Sequence, residues 1–217
     1  MLKIFKHLIV LQLVFGSAVV MANTYNFSQI TSNGNQAVGS QLLVDVTQSG
    51  SNVLFTFTNT SVIASSITDI YFDYGNTNYF SSVSNNTLGA AGDSAGVSFS
   101  DGATPPNLPA GNTVGFTADA SGDSNSGAPG VSANGVNAST EFVKFLGTTL
   151  NGITFGDVLA GLDSGALRLG LHVQSIGTKG GSESFVNTPP NAVPLPTAGW
   201  LFGSALVGLM GLRRKMH

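Results

Sequence analysis

The stretch that decides the fold is Leu167-Arg-Leu-Gly-Leu-His-Val-Gln174, in which apolar residues take every second position. Successive side chains of a β-strand point to opposite faces, so this period of two predicts a strand. One face is predicted to lie on a core and the other to meet water, and the core face carries Leu167, Leu169, Leu171 and Val173. Burial on one side only is typical of antiparallel sheets.

The same alternation appears in three segments ahead of this strand, which are Leu42–Thr47, Val53–Thr58 and Ile67–Tyr74. Turn-forming residues separate the segments, as at Gly75-Asn76. Thr154–Leu162 instead has apolar residues at helical spacing, with Thr154 as the expected N-cap. Many short strands divided by turns predict an all-β fold, an antiparallel β-sandwich of jelly-roll or immunoglobulin-like type.

Residues 101–138 interrupt the alternation. They are rich in Gly, Ser, Asp, Asn and Pro, so we expect one long flexible loop there. Ser182–Pro190 is expected to be the exit linker from the body. The sequence thus predicts a β-sandwich body at residues 23–186, followed by a linker and motif at residues 187–197.

The composition limits the classes of function. The 217-residue chain has no Cys, which excludes a disulfide-stapled fold, a Cys-ligated zinc site and a thiol nucleophile. Most of its 8 basic residues lie at the two chain ends, so the body sets only Lys144, Arg168 and Lys179 against all 11 acids. Three basic side chains cannot line a nucleic-acid groove, and no nucleic-acid partner is expected.

The first 22 residues have the organisation of a secretory signal peptide. Two lysines give a positive start, and Leu8–Val20 forms an apolar run. Small residues after the run predict cleavage between Ala22 and Asn23. The run is shorter than the roughly 20 residues that a transmembrane helix needs, which favours a cleaved signal peptide over a membrane anchor. The body is therefore expected to be exported.

The C-terminus has three parts in order. A proline motif comes first, formed by Val193, Pro194, Leu195 and Pro196. An apolar run follows at residues 198–212, and the basic end at residues 213–217 begins with Arg213, Arg214 and Lys215. The run is predicted to be a single transmembrane helix whose basic end stays in the cytoplasm, which leaves the body outside.

This tail resembles the PEP-CTERM sorting signals of Gram-negative bacteria, in the variant written Val-Pro-Leu-Pro-Ala. Thr197 stands where that variant has Ala, and the chain has no Pro-Glu-Pro. The resemblance implies recognition by an exosortase, a membrane-embedded, Cys-dependent processing enzyme. It also implies transient anchoring in the inner membrane, association with exopolysaccharide, and a final place at the cell surface or in the extracellular matrix.

Acidic residues raise the hypothesis of a calcium site. Asp119, Asp123 and Asn125 place oxygen ligands in a Gly-containing stretch, and calcium takes about 6–8 such oxygens. Asp69 and Asp73 lie four residues apart on a strand face that is expected to be exposed. Neither set has the spacing of an EF-hand loop, and Asp is a common turn residue, so solvated turns are the alternative.

A serine hydrolase site is a second hypothesis. Gly92–Gly96 has the pattern Gly-x-Ser-x-Gly around Ser94, and His172 is the only His of the predicted body. That motif needs a buried strand before it and a helix after it, and neither flank has such a pattern. His172 is expected to be a surface residue, and the two glutamates, Glu141 and Glu183, have no recognisable setting for glycoside hydrolysis.

Aromatic residues raise a third hypothesis, a face that binds carbohydrate. Four of them lie close in sequence to Asp69 and Asp73, namely Tyr71, Tyr74, Tyr79 and Phe80. Aromatic rings offer a large apolar face with a polar rim, which suits sugars. Packing in the core explains the same residues equally well.

These observations favour an exported all-β surface or matrix protein with a structural or adhesive role, without catalytic residues or a cofactor. Two other interpretations stay open at this point. One is a lectin-like module that binds carbohydrate or calcium, and the other is a secreted hydrolase.

Overall fold

The structure is a computed structural model that describes residues 22–60, 62–85, 92–125 and 130–188. The predicted signal peptide up to residue 21, the Val193–Pro196 motif, the apolar run and the basic end lie outside these ranges. None of the helices within the ranges combines the length and the apolar character that crossing a bilayer requires.

Eleven strands and one α-helix build the described body. The strands are β1 (Ala22–Gln29), β2 (Leu42–Ser49), β3 (Asn52–Asn59), β4 (Ser66–Asp73), β5 (Phe80–Ser84), β6 (Ser100–Asp101), β7 (Ala120–Asp123), β8 (Val136–Asn137), β9 (Phe142–Thr149), β10 (Arg168–Ile176) and β11 (Gly181–Thr188). The helix is α1 (Phe155–Ser164), which confirms the helix predicted at Thr154–Leu162. Thr154 is its N-cap, because its hydroxyl accepts from the Asp157 N–H while the Asp157 carboxylate accepts from the Thr154 N–H.

The strands pair antiparallel in one sheet with the order β5-β9-β3-β2-β1-β11-β10-β4-β7-β6, and β8 pairs with β4. The two ends of this order meet where the Asp101 carboxylate accepts from the Ser84 hydroxyl at 2.6 Å and from the Asn85 N–H at 3.0 Å. The sheet is therefore nearly closed and barrel-like. The antiparallel β-structure is confirmed, but the ladder is continuous rather than divided between the two sheets of the predicted sandwich. Continuity arises because the first and last strands, β1 and β11, pair with each other, and no local pattern reveals that pairing.

The predicted inward faces form the core. β2, β3 and β10 bury alternate residues, and Phe57 and Leu169 have no exposed surface. Aromatic rings meet edge to face at the centre, with 5.3 Å between the centroids of Phe55 and Phe72. α1 packs onto this core through two buried residues, Val158 and Leu162.

β4 departs from the predicted pattern, because all eight of its residues are buried.

The prediction of one long flexible loop at residues 101–138 is also wrong, since this segment contains β7 and β8, which pair with β4. We call residues 100–138, described as 100–125 and 130–138, the covering segment. Its Leu108 and Phe116 pack against Gly170 of β10, where an added Cβ would lie 2.9 and 3.0 Å from their side chains. Glycine at this position therefore leaves the space that the covering segment fills on the outer face of β10.

The last strand corrects the predicted exit linker. β11 lies between β1 and β10 and continues to Thr188, so Ser182–Pro190 is not a linker up to that residue. β1 begins at Ala22 and runs antiparallel to β11, with Asn26 opposite Thr188. The chain therefore enters β1 and leaves β11 at the same end of the sheet, which we call the tail end.

Candidate functional site

Four polar residues form a row across neighbouring strands on the outer face of the sheet. Asp123 of β7 lies opposite Asp69 of β4, and Asp69 lies opposite His172 of β10. Ser184 of β11 follows, opposite His172. Residues opposite each other on antiparallel strands share a face and are close enough to interact, so we call these four residues the polar row.

Asp69 is the centre of the polar row and is 1% exposed. Its Oδ2 atom accepts from the Thr68 hydroxyl at 2.8 Å and bonds to Nδ1 of His172 at 2.9 Å. Its Oδ1 atom is buried and has no partner among the described residues. This contact holds the imidazole ring of His172 with its Nδ1 atom toward Asp69, so Asp69 sets the orientation of the ring.

His172 is enclosed, since 15% of its side chain is exposed. Gly130 of the covering segment lies against Asp69, and its carbonyl accepts from the side-chain amide of Gln174 at 3.2 Å. The prediction of a surface histidine therefore overstates the exposure of this side chain. It rested on the alternation within β10, which gives no information about the segment that covers the strand.

Asp123 is fully buried, and both of its carboxylate oxygens accept backbone N–H groups. Oδ1 accepts from Asn125 at 2.8 Å, and Oδ2 accepts from Thr104 at 3.2 Å. Burial raises the pKa of Asp123 and the nearby Asp69 charge adds to the increase, although the two N–H groups act in the opposite direction. The pKa of Tyr71 is also raised, first by burial and then by the charges of Asp69 and Asp123.

The three predicted calcium ligands divide between two separate contacts. Asp123 accepts from the N–H of Asn125, whereas Asp119 Oδ2 accepts from the Tyr74 N–H at 2.6 Å. Among the described residues, no group of three or more His, Asp or Glu side chains is arranged to hold a metal ion. The carboxylates proposed as ligands are instead hydrogen-bonded to the backbone.

Asp73 is buried as well, with 4% of its side chain exposed, so the prediction that Asp69 and Asp73 share an exposed face is wrong. Arg168 of β10 pairs with Asp73 Oδ2 at 2.5 Å. The same guanidinium donates to the backbone carbonyls of Val114 and Gly115 in the covering segment. The ion pair therefore joins β4, β10 and the covering segment.

The acids of the body share one structural role. Eight of the 11 accept at least one backbone N–H group, and these are Asp73, Asp93, Asp101, Asp119, Asp123, Glu141, Asp157 and Glu183. The remaining acids accept from side chains, and these are Asp45, Asp69 and Asp163. A carboxylate that accepts an N–H makes a stronger hydrogen bond than a neutral acceptor does. The acids thus hold turns and loops in place in a body that has few basic side chains.

Glu183 is the most enclosed of the acids outside the covered face, at 1% exposure. Its carboxylate accepts from the Thr31 hydroxyl at 2.5 Å, the Asn33 N–H at 2.8 Å and the Asn35 amide at 3.0 Å. Burial acts to raise the pKa of Glu183, but the hydrogen bonds outweigh burial and the pKa is lowered. The sequence gives no sign of this contact, since about 150 residues separate Glu183 from its three partners.

Ser94 does not join His172. The Ser94 hydroxyl accepts from the Phe142 N–H at 2.8 Å, and its own N–H donates to the Phe142 carbonyl at 3.0 Å. The described flanks of Ser94 are bends and turns, so the buried strand and the helix that this motif needs are missing there. Ser184 does lie beside His172, but it is 1% exposed and offers a substrate no access.

The aromatic residues predicted to stack on sugars are buried. Their exposed fractions are 0% for Tyr71, 8% for Tyr74, 5% for Tyr79 and 5% for Phe80. The Tyr74 and Phe80 rings pack with 5.6 Å between centroids, and the Tyr71 hydroxyl donates to the Pro105 carbonyl at 3.1 Å. These four residues therefore do not form a carbohydrate-binding face.

Two surface pockets lie apart from the polar row. One, of about 140 Å³, is lined by Gly34, Asn35, Gln36, Ile176, Thr178 and Lys179. The other, of about 300 Å³, lies beside α1 and is lined by Thr77, Tyr79, Ile153, Asp157, Ala160, Gly161 and Ser164. Neither pocket gives access to His172 or Asp69.

The predicted sorting and cleavage residues fall partly within the structure. Ala22 and Asn23 open β1, opposite Thr47 and Val46 of β2. The sorting residues, Val193 to Pro196 and Arg213 to Lys215, lie outside the described residues.

No family model matches the chain, and no curated protein and no solved structure matches it either.

Proposed function

We propose that this chain is an exported surface or extracellular-matrix protein, sorted by an exosortase-type membrane enzyme and associated with exopolysaccharide. Its role is structural or adhesive. The observation that carries the proposal is the tail, in which a proline motif, an apolar run and a basic end follow the body in order. A signal peptide at residues 1–22 delivers the body, and a transmembrane helix at residues 198–212 holds it until processing.

The arrangement of the chain ends supports this proposal. β1 and β11 are neighbours, and the chain enters and leaves the body at the tail end. A body anchored through residues 198–212 then stands on the membrane at its tail end and presents the opposite end outward. The nine residues between Thr188 and the apolar run at residues 198–212 span at most about 32 Å, which limits how far the body can stand from the membrane.

The chemistry of the body supports a structural role. Every acid has a hydrogen-bonding partner within the fold, and the enclosed Asp69–His172 pair lies beside a serine that substrate cannot reach. The residues that suggested a calcium site, a sugar-stacking face and a hydrolase are engaged in packing or in backbone hydrogen bonds. We therefore assign no catalytic residue and no cofactor.

Mass spectrometry of the protein in the extracellular fraction tests the sorting proposal. We expect a mature chain that begins at Asn23 and ends near Pro196. The double variant Pro194→Ala/Pro196→Ala should keep the basic end at Arg213–Lys215, because the motif is lost. The matched control Pro189→Ala/Pro190→Ala removes two prolines outside the motif and should be processed normally. Extracellular wild-type chains that all retain Arg213–Lys215 would show that the proposal is wrong.

A further inference from the structure

Four neighbouring strands present an outer face that no described element covers. The register of β1, β2, β3 and β9 arranges twelve outward residues in three rows. The middle row is Thr24, Asp45, Thr56 and Lys144, with Asn26, Leu43, Thr58 and Phe142 on one side of it and Ala22, Thr47, Leu54 and Leu146 on the other. We call these twelve residues the open face, and none of them is buried.

The open face carries apolar side chains that the body does not use. Leu43, Leu54, Phe142 and Leu146 belong to neither of the two buried hydrophobic clusters. Other partly exposed apolar residues, such as Ile153 and Phe155, do pack against the core. The open face therefore carries four partly exposed apolar side chains that pack in neither core cluster.

Two opposite charges flank the centre of the open face. Asp45 and Lys144 lie on either side of Thr56, one strand away in each direction, so about 10 Å separates their backbones. The Asp45 carboxylate accepts from the Thr24 hydroxyl at 2.5 Å. Lys144 Nζ lies 4.9 Å from the centroid of the Phe142 ring, so both charges are held on the face.

This pattern is self-complementary about a two-fold axis along β3. Rotation about that axis exchanges the positions of β2 and β9, so Asp45 of each copy faces Lys144 of the other. Leu43 then faces Phe142 of the second copy, and Leu54 faces its own counterpart. An axis that crosses the strands would set Asp45 against Asp45 and Lys144 against Lys144, and these like charges exclude it.

We propose that the open face binds the open face of a second copy of this chain, with the two-fold axis parallel to β3. The interface is isologous, as a two-fold axis requires. Its sheets pack face to face at about 10 Å, in the aligned manner of two sheets in a sandwich. Asp45 and Lys144 select the axis, and the apolar residues of the outer rows supply the buried area.

The orientation of the pair agrees with the anchoring proposed above. A two-fold axis parallel to the strands preserves the direction along the strands, so the tail ends of both copies point the same way. Two anchored chains can then pair side by side on one membrane. The pairing does not itself depend on the C-terminal sorting, since none of the residues 189–217 takes part in the open face. The expected cleavage before Asn23 removes Ala22 from an outer row and leaves the other eleven residues of the open face in place.

The size of the open face sets the expected strength. Twelve residues per copy is about half of the 20–30 residues that a standard stable interface uses on each side. The pairing is therefore weak in dilute solution. Tethering to one surface raises the effective concentration of the second copy and favours the pair.

Thiol cross-linking of the purified full chain in detergent tests the pairing. The chain has no Cys, so the variant Thr56→Cys introduces a single thiol on the axis. A bis-maleimide with a spacer of about 10 Å should join two copies through it. The control Thr178→Cys places a more exposed thiol outside the open face and should cross-link at the background level, so a lower yield there does not come from poorer access.

Charge exchange makes the test specific. In the Thr56→Cys background, Asp45→Lys alone or Lys144→Asp alone turns two attractive contacts into two repulsive ones and should lower dimer yield about tenfold. An equal mixture of the two variants restores both attractions in mixed pairs and should raise the yield to about half that of the Thr56→Cys parent at the same total concentration, since only mixed encounters are attractive. Leu54→Thr tests the apolar contact without changing charge and should lower the yield while the melting temperature stays unchanged.

Three results would overturn the proposal. The first is equal cross-linking by Thr56→Cys and Thr178→Cys. The second is a yield that the charge variants do not change, or that their mixture does not raise although both melt cooperatively. The third is a monomer that binds soluble dextran through the open face and never cross-links, which would assign the face to a glycan. Because the tail stays intact in these samples, a failure of processing does not affect the result.

Discussion

The open face and the covered face of β4 and β10 begin from the same sequence pattern and end in different environments. Asp45 in β2 and Asp69 in β4 both occupy outward positions of an alternating strand. Asp45 is half-exposed, while Asp69 is 1% exposed beneath the covering segment. The period of a strand tells which side chains share a face, but a segment distant in sequence decides whether that face meets water.

The two faces share one core, and core truncation should give the largest effects. Phe57→Ala or Leu169→Ala should each lower the free energy of unfolding by about 2–5 kcal/mol, because each residue has no exposed surface and leaves a cavity. Urea denaturation gives the measurement. Leu54→Ala, which removes an outward residue of the same strand as Phe57, is the matched control and should change the value by less than about 1 kcal/mol. Equal effects in all three variants would contradict the assigned faces.

The comparison of Asp69 with Asp45 should give an intermediate effect. Asp69→Ala removes the acceptor of Thr68 and His172 in an enclosed place and should cost about 1–3 kcal/mol in urea denaturation. Asp45→Ala removes a half-exposed acceptor and should change the free energy of unfolding by about 0.5 kcal/mol or less. If the two variants lose the same stability, the covering segment does not seal the face of β4 in solution.

The smallest effects are expected from pH, with opposite signs for Glu183 and Asp123. The lowered pKa of Glu183 means that its contribution to stability is present above its unfolded pKa and is lost as pH falls through the folded value. The raised pKa of Asp123 means that its contribution is present below its unfolded pKa and is lost as pH rises through the folded value. From about pH 6 to pH 3, Glu183→Gln should therefore reduce the fall in the free energy of unfolding, and Asp123→Asn should steepen it. Parallel pH profiles for the wild type and both variants would refute this assignment.

Local patterns predicted α1 and four of the eleven described strands, and little of the candidate site. The helix at α1 followed from the spacing of its apolar residues and from Thr154 as its cap, because both signals act within one or two turns. The inward faces of β2, β3 and β10 followed from a period of two. The polar row depends instead on the register of β4 with β7 and with β10, whose paired residues are about 50 and 100 positions apart in sequence, and periodicity within one strand gives no register.

The misplaced residues share one cause. His172, Asp69, Asp73 and Tyr71 were all expected outside the core or at its edge, and all of them lie beneath the covering segment or contact it. The composition of that segment, rich in Gly, Ser and Asp, resembled a flexible loop. In the structure two of its apolar residues, Leu108 and Phe116, pack against Gly170. Its backbone N–H groups donate to the carboxylates of Asp123 and Asp73.

The sequence by itself determined that β2, β3, β4 and β10 are strands, where α1 begins and which faces of β2, β3 and β10 are apolar. These features depend on neighbouring residues, whose spacing already contains the period of the backbone. The tertiary structure decided the closure of the sheet through β1 and β11, the covering of the polar row and the partial exposure of the open face. These features depend on contacts between residues that are distant in sequence. The local pattern allows many arrangements of the strands, and one is selected because it buries apolar area and pairs carboxylates with backbone N–H groups.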